Sequence, residues 1–462
     1  MPGDFGIRTS RVIRSTRTQL LLLIAGWLVA ALLALTVYRA RQIDALLAPG
    51  RLHANDFKHL WIGARLLDLG QSPYDPQLLF AMAEAHHLGG INPYVYLPFT
   101  GLQLAPIARL PFDRAARLWF WLNHLFLGLA IAATALHAAW SRHRWASGWL
   151  AAFGVLVAAF MMPLSRQMTA GQLNCALVLA LVVILISVER RLSVLAGLAI
   201  AWATLFKLSP GLFVLYLLWK RAWRLIGWTA LWLAILVGWS LWRVGLDIHL
   251  QFLPLLADMR IGHSTWAQQG MYYHCDPANQ AVGSFLLHIF ASRNAWNLIE
   301  LARDPAFVPT APWIDLGPSV ANALTALFAL GVLGVLVFVT RRGWGRGGPS
   351  ADAWRAEWSL LVIASLLIPS LMWDHCAVQL LPILMLGIWG SFTLARPPAR
   401  VLALLGWLAA AVLLAVPVNH WSPALRHGLG LVVMSVRLWG VLLMFGLAVW
   451  WRFSLNHGER EE

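Results

Sequence analysis

Apolar positions along this chain gather into long unbroken runs. After a basic start at Arg8, Arg11, Arg14 and Arg17, residues 18–38 carry no charge. Further apolar runs fall at about 118–140, 147–164, 172–188, 192–206, 208–219, 225–242, 317–340, 357–372, 376–394, 401–418 and 428–451. A helix needs about 20 residues to cross the hydrocarbon core of a bilayer. The pattern therefore predicts an all-α polytopic membrane protein with about 12 transmembrane helices. The runs at 192–206 and 208–219 are the shortest, and could form one kinked pair around Ser209-Pro210. The first run exceeds a signal-peptide core and has no Ala-x-Ala exit, so it reads as a retained helix.

Arginine positions set the sidedness. The segment 94–111 is apolar but carries Pro98, Pro106 and Arg109. If it spans, the clusters Arg190/Arg191, Lys220/Arg221/Arg224 and Arg341/Arg342/Arg346 face outward. If it lies on the surface or re-enters, those clusters, Arg142/Arg144, Arg396/Arg400 and Arg452 face the cytoplasm. The positive-inside rule favours the second arrangement. One domain, 1–462, is expected, with a cytoplasmic basic N-terminus (1–17) and a cytoplasmic tail (452–462). Its large extracytoplasmic loops are 39–117, with interfacial helices, and 243–316; residues 165–171 form a short outer turn.

Composition agrees: 60% of residues are hydrophobic and 12% charged. Mean hydropathy is +0.67. Soluble and disordered classes are excluded by that balance. Net charge is +15, from 35 Lys+Arg and 20 Asp+Glu. In a membrane protein such an excess marks cytoplasmic loops, and no nucleic-acid partner is expected. The three cysteines, Cys175, Cys275 and Cys376, leave room for one disulfide or three free thiols.

The polar residues that stand out sit at the outer helix ends. Residues 55–68 place Phe57, Leu60, Trp61, Ala64 and Leu67 at helical spacing, with Lys58, Arg65 and Asp68 off that stripe. This predicts an amphipathic helix on the membrane surface, with Asn55 or Asp56 at its start. Asp is a favoured N-cap, which is the plain structural account of Asp56. Arg166-Gln167, Gln172, Asn174, Lys207, Asn279-Gln280 and Trp373-Asp374-His375 recur on the same side. Ionisable groups at apolar margins are costly and often functional, and several together suggest one polar cavity. A carboxylate there can accept a proton from an attacking hydroxyl. Lys, Arg and His can stabilise a phosphate leaving group. No metal motif, Walker A loop or nucleophile elbow appears. His86-His87 reads as a solvated turn, and Gly343-x-Gly345-x-x-Gly348 as a linker after a span.

The order of these motifs resembles glycosyltransferase family 87. The resemblance rests on Asp56-Phe57 with Trp61, Gly70-x-x-Pro73-Tyr74-Asp75, and Tyr94-x-Tyr96-Leu97-Pro98. It continues through Gly171-Gln172-x-Asn174, Phe206-Lys207-x-x-Pro210, Asn279-Gln280 and Trp373-x-His375. It implies a GT-C fold with an extracytoplasmic active site, in the inner membrane of a bacterial-type cell. It also implies a polyprenyl-phosphate sugar donor and an inverting mechanism without an obligatory metal or cofactor. By motif position Asp56 is the implied base, with Lys207, His375 and Arg166 at the donor phosphate. Tyr94, Tyr96, Gln172, Asn174, Asn279 and Gln280 are the expected sugar and acceptor contacts. The expected reaction moves a hexose, mannose first among them, to a hydroxyl of an envelope glycolipid or glycan. The rival classes are a lipid-linked sugar transporter or flippase and a non-catalytic assembly partner. Transporters usually show repeated halves with sites near mid-membrane, and neither pattern is evident here.

Overall fold

The computed structural model describes residues 25–48, 52–139, 144–263, 273–342, 344, 348–392, 394 and 396–458. The basic segment 1–17, most of the Gly343–Pro349 linker and the end of the tail lie outside the described residues. Among the described residues every regular element is helical, apart from an isolated bridge between Asn279 and Trp373.

Among the described residues five helices are long and apolar enough to cross a membrane: Phe112–Ala138, Trp223–Leu250, Pro318–Val339, Pro397–Ala415 and Val436–Leu455. A sixth span is available if Ala146–Phe160 and Met162–Ala170 count as one, bent by 69°. The described residues of this multi-pass membrane protein, which include only part of the first run, thus show fewer full-length helices than the twelve apolar runs. The difference has a physical reason. Several runs do form helices, but short ones: Asn174–Glu189, Ser193–Phe206, Gly211–Trp219, Ala351–Leu367 and Leu381–Ser391. The most enclosed of them occupy the centre of the bundle. Residues 353–367 are all buried, and a helix that is apolar all round belongs inside. Trp354 and Trp358, one turn apart, donate their indole N–H groups to the carbonyls of Leu185 (2.8 Å) and Leu181 (3.0 Å). Irregular backbone is tolerated at membrane depth only where protein or a water-lined cavity surrounds it. Short central helices satisfy that condition.

The loops hold more helix than their composition suggests. The expected turn at 165–171 is largely the helix Met162–Ala170, which starts with Pro163 in its first turn. Trp223–Leu250 extends into the expected outer loop, kinking at Gly245, where φ is 79°. Val282–Phe290 and Ala295–Arg303 add two further helices there. The segment 94–111 yields the helix Pro98–Ala108, of 11 residues, too short to span.

The expected surface helix forms at Asn55–Asp68, but it is not laid open on one face. Phe57, His59–Ala64, Leu66 and Leu67 are all buried, because Pro98–Ala108 covers the second face. Trp61 donates to the Leu110 carbonyl (3.2 Å), and Arg65 to that of Ala108 (3.1 Å). Arg109 pairs with Asp68 at 2.8 Å. The Tyr94 ring fills the seam: a Cβ on Gly63 would stand 2.3 Å from it.

The helix Asn174–Glu189 separates two polar regions by about 22 Å, at 1.5 Å per residue. At its Glu189 end, Arg355 forms a two-point pair with Glu189 (2.8 and 3.0 Å) and His137 lies 2.8 Å away. Nearby on the Arg355 helix, Glu357 takes Lys220 (3.0 Å), Arg452 (2.9 Å) and the Tyr216 hydroxyl. At its Asn174 end lies the candidate site.

Candidate active site

Gly171 sets the site's geometry. It closes Met162–Ala170 in the left-handed region (φ 72°), and a Cβ there would sit 2.7 Å from Phe57. Only glycine fits both demands. The tight approach brings the residue after it, Gln172, against the start of the Asn55–Asp68 helix. The Ala54 amide adds a hydrogen bond to the Thr169 carbonyl (2.8 Å).

Asp56 is therefore not the N-cap. Ala54 holds that position in a left-handed conformation, and no side chain caps the helix. Asp56 Oδ2 instead accepts from Gln172 Nε2 at 2.9 Å. Gln172 Oε1 accepts from the Tyr96 hydroxyl at 3.0 Å, and the Gln172 carbonyl accepts from Gln167 Nε2. Gln167 Oε1 accepts from Asn174 Nδ2 (2.9 Å), and Asn174 Oδ1 accepts from Lys207 Nζ (2.9 Å) and Gln379 Nε2 (3.2 Å). Lys207 also reaches Cys376 Sγ at 3.5 Å. A continuous chain of neutral amides thus joins one carboxylate to one ammonium, both half-buried.

Electrostatics mark the lysine end. Burial pushes the Cys376 thiol up, but Lys207 and His375 beside it outweigh burial and bring it down to about 6. Lys207 and His375 therefore converge on one sulfur. Burial holds the Tyr96 phenol well above its usual range, so it stays a neutral donor. No disulfide joins any two of the three cysteines. Among the described residues no three His, Cys, Asp or Glu side chains gather as a metal-binding group.

The other expected site residues are held elsewhere. Arg166 pairs with Asp374 at 3.1 Å and faces the Trp421 ring. Asp374 also takes Arg437 at 2.9 Å, with His420 3.5 Å away. Burial would raise the Asp374 carboxyl, but the hydrogen bond from His420 and the Arg437 and Arg166 guanidiniums overcome it and hold it at about 2. Such an acid is a poor proton acceptor near neutral pH. Asn279 donates to the carbonyls of His274 (3.1 Å) and Ser370 (3.0 Å) and accepts from the Met372 amide (2.9 Å). Gln280 donates to Met434 O (3.1 Å) and accepts from the Arg437 amide (3.1 Å). The Asn279 side chain fastens the backbone just before the 373–376 turn, and that of Gln280 fastens the backbone around Met434 and Arg437. The Tyr94 hydroxyl donates to the Leu97 carbonyl at 3.0 Å, inside the seam.

The family model of glycosyltransferase family 87 matches residues 94–296. The match includes Tyr96, Arg166, Gln172, Asn174, Lys207, Asn279 and Gln280, while Asp56 and His375 lie outside it. Two curated relatives from Mycolicibacterium smegmatis extend the likeness. One is a polyprenol-phosphate-mannose-dependent alpha-(1-2)-phosphatidylinositol pentamannoside mannosyltransferase, 28% identical over 70% of this chain and 67% of its own. The other is the corresponding phosphatidylinositol mannoside mannosyltransferase, 30% identical over 35% of this chain and 42% of its own. The matched segment, somewhat under half of the chain, is similar to glycosyltransferase family 87. A solved structure, ArnT from Cupriavidus metallidurans in the apo state, aligns over 95% of this chain and 78% of its own. Its sequence identity is 15% and its TM-score 0.31, a likeness too weak to inform the site.

The hydrogen-bonded network also includes residues that the motifs did not single out. Asn123, whose Oδ1 accepts from Gln167 Nε2 (3.2 Å), is a lone asparagine in an apolar run. Arg437 is an arginine inside the run 428–451. The rule that polar groups within spans are functional or paired points to both. Cys376 and Gln379 carry no such signal.

Proposed function

We propose that the enzyme transfers a hexose, mannose first among candidates, from a polyprenyl phosphate to a hydroxyl of an envelope glycolipid or glycan. The fold class is GT-C and the reaction inverts the anomeric centre. Asp56 Oδ1, which accepts from no described residue, takes the acceptor's hydroxyl proton. The acceptor oxygen bonds to the sugar C1 as the bond from C1 to the phosphate oxygen breaks. The electron pair leaves with the polyprenyl phosphate, and Lys207 and His375 stabilise the charge it gathers. Gln172 and Asn174 orient Asp56 and Lys207, and Tyr96 orients Gln172.

The observation that carries this reading is the amide chain from Asp56 to Lys207, which positions a base and a cation on one connected frame. The names of the two mycobacterial relatives support the donor class and a glycolipid acceptor. Helix direction supports an extracytoplasmic site. Arg190/Arg191, Lys220/Arg221, Arg355 and Arg452 lie at the helix ends far from Asn174, as the positive-inside rule asks of a cytoplasmic face.

The test is transfer by purified enzyme, given a panel of labelled polyprenyl-phosphate sugars and a lipid extract from the source cell. Asp56→Asn is expected to lose about 10²–10⁴-fold in rate, the usual worth of a general base, with its unfolding temperature unchanged. Equal activity in variant and wild type would remove Asp56 as the base.

A further inference from the structure

His59 lies one helical turn after Asp56, on the same side of the Asn55–Asp68 helix. It is 3% exposed, and neither ring nitrogen has a hydrogen-bond partner among the described residues. Its ring stacks on Tyr96, with centroids 6.0 Å apart and planes 7° from parallel. Tyr96 is the residue that holds Gln172, and Gln172 holds Asp56. Asp56, Gln172, Tyr96 and His59 thus form one group of neighbours.

A buried polar group without a partner costs about 1–3 kcal/mol. An apolar ring of similar size would remove that cost while keeping the stack on Tyr96. The cost is understandable if the nitrogens are satisfied by a bound molecule. Burial drives the imidazole down to about 4, against the pull of the Asp56 carboxylate. The ring is therefore neutral near pH 7. A neutral imidazole offers one donor and one acceptor, which suits a polyol and gives no charge to a phosphate. The proposed phosphate contacts, Lys207 and His375, lie at the other end of the amide chain.

We propose that His59 binds the acceptor sugar, hydrogen-bonding a hydroxyl beside the one that Asp56 deprotonates. The proposal rests on the reading of Asp56 as the base. It adds a contact that selects a hexoside acceptor over a lipid without a sugar head.

The test uses the full-length protein in detergent, with octyl α-D-mannopyranoside as acceptor probe and farnesyl phosphate as donor-side probe. Binding is read by titration calorimetry without turnover. His59→Phe is expected to weaken the glycoside at least about tenfold, the scale of one lost hydrogen bond. Farnesyl phosphate should bind within about twofold of wild type, since a neutral ring contributes no charge there. The unfolding temperature should hold or rise. His59→Gln, which restores a donor and an acceptor, should recover part of the affinity. His59→Leu runs alongside as a smaller apolar replacement, so one folded variant is enough. Unchanged glycoside binding, an equal loss for both probes, or no glycoside binding by wild type would overturn the proposal. Failure of the base reading looks different: Asp56→Asn would keep transferring sugar, whatever His59→Phe does to binding.

Discussion

The two polar ends of the Asn174–Glu189 helix solve the same problem in opposite ways. At the Glu189 end, charge meets charge. Glu189 takes Arg355 and His137, and Glu357 takes Lys220, Arg452 and Tyr216. Lys220 spends its remaining reach on the carbonyls of Thr340 and Arg342, each at 2.6 Å. Little is left over for a ligand. At the Asn174 end, neutral amides separate Asp56 from Lys207. One carboxylate oxygen has no described partner, and Lys207 makes two of its three possible bonds. The first arrangement fastens helices; the second holds its charges apart and leaves part of each without a described partner.

The largest effect should come from breaking the fastened end. Glu357→Gln leaves Lys220 and Arg452 buried without their countercharge. Removing one partner of a buried pair typically costs 3–5 kcal/mol. The variant should unfold at a clearly lower temperature in detergent, and any folded fraction should retain wild-type donor KM. A stable variant with altered KM would reverse the roles assigned to the two ends.

Lys207→Met is the matching change at the site. It should lower kcat/KM for the lipid-phosphate donor about 100-fold, near 3 kcal/mol of lost transition-state stabilisation. The unfolding temperature should move little, because the lysine is only half-buried and Asn174 keeps its bonds to Gln167 and Gln379. A large loss of stability with intact catalysis would make Lys207 another fastener.

Much of this division was legible in the sequence, and its gaps are instructive. The helix Asn55–Asp68 follows from its stripe, and Gln172, Asn174 and Lys207 stand out as polar groups at apolar margins. Hydropathy could not locate the 69° bend after Phe160, since both sides of it are apolar. Nor could it separate short central helices from peripheral spans, because burial in protein and burial in lipid favour the same residues. Asn279 and Gln280 resemble Gln172 in composition and position, yet their amides are committed to backbone. That distinction depends on partners about 90 and 150 residues away, such as Met372 and Met434, which no local pattern encodes.

The Asp374 cluster stands between the two kinds of region, and acid should sharpen its place. It is a fastener by geometry, joining Arg166, Arg437 and His420, yet it adjoins His375 at the site. Its folded pKa, about 2, lies below the unfolded value near 3.9. The sign follows: the stabilisation is present above about pH 4 and is lost as pH falls through about 2. The difference corresponds to between about 2 and 3 kcal/mol, at 1.36 kcal/mol per unit. Wild type should therefore unfold well above Asp374→Asn at pH 6, with the gap narrowing steadily towards pH 2.5. Because His420 faces the same carboxylate, Arg437→Met should be run beside it; loss of that cation raises the Asp374 pKa and moves the narrowing to higher pH. A gap independent of pH would mean that the arginines hold Asp374 by shape alone, and that its charge contributes nothing to the fastening.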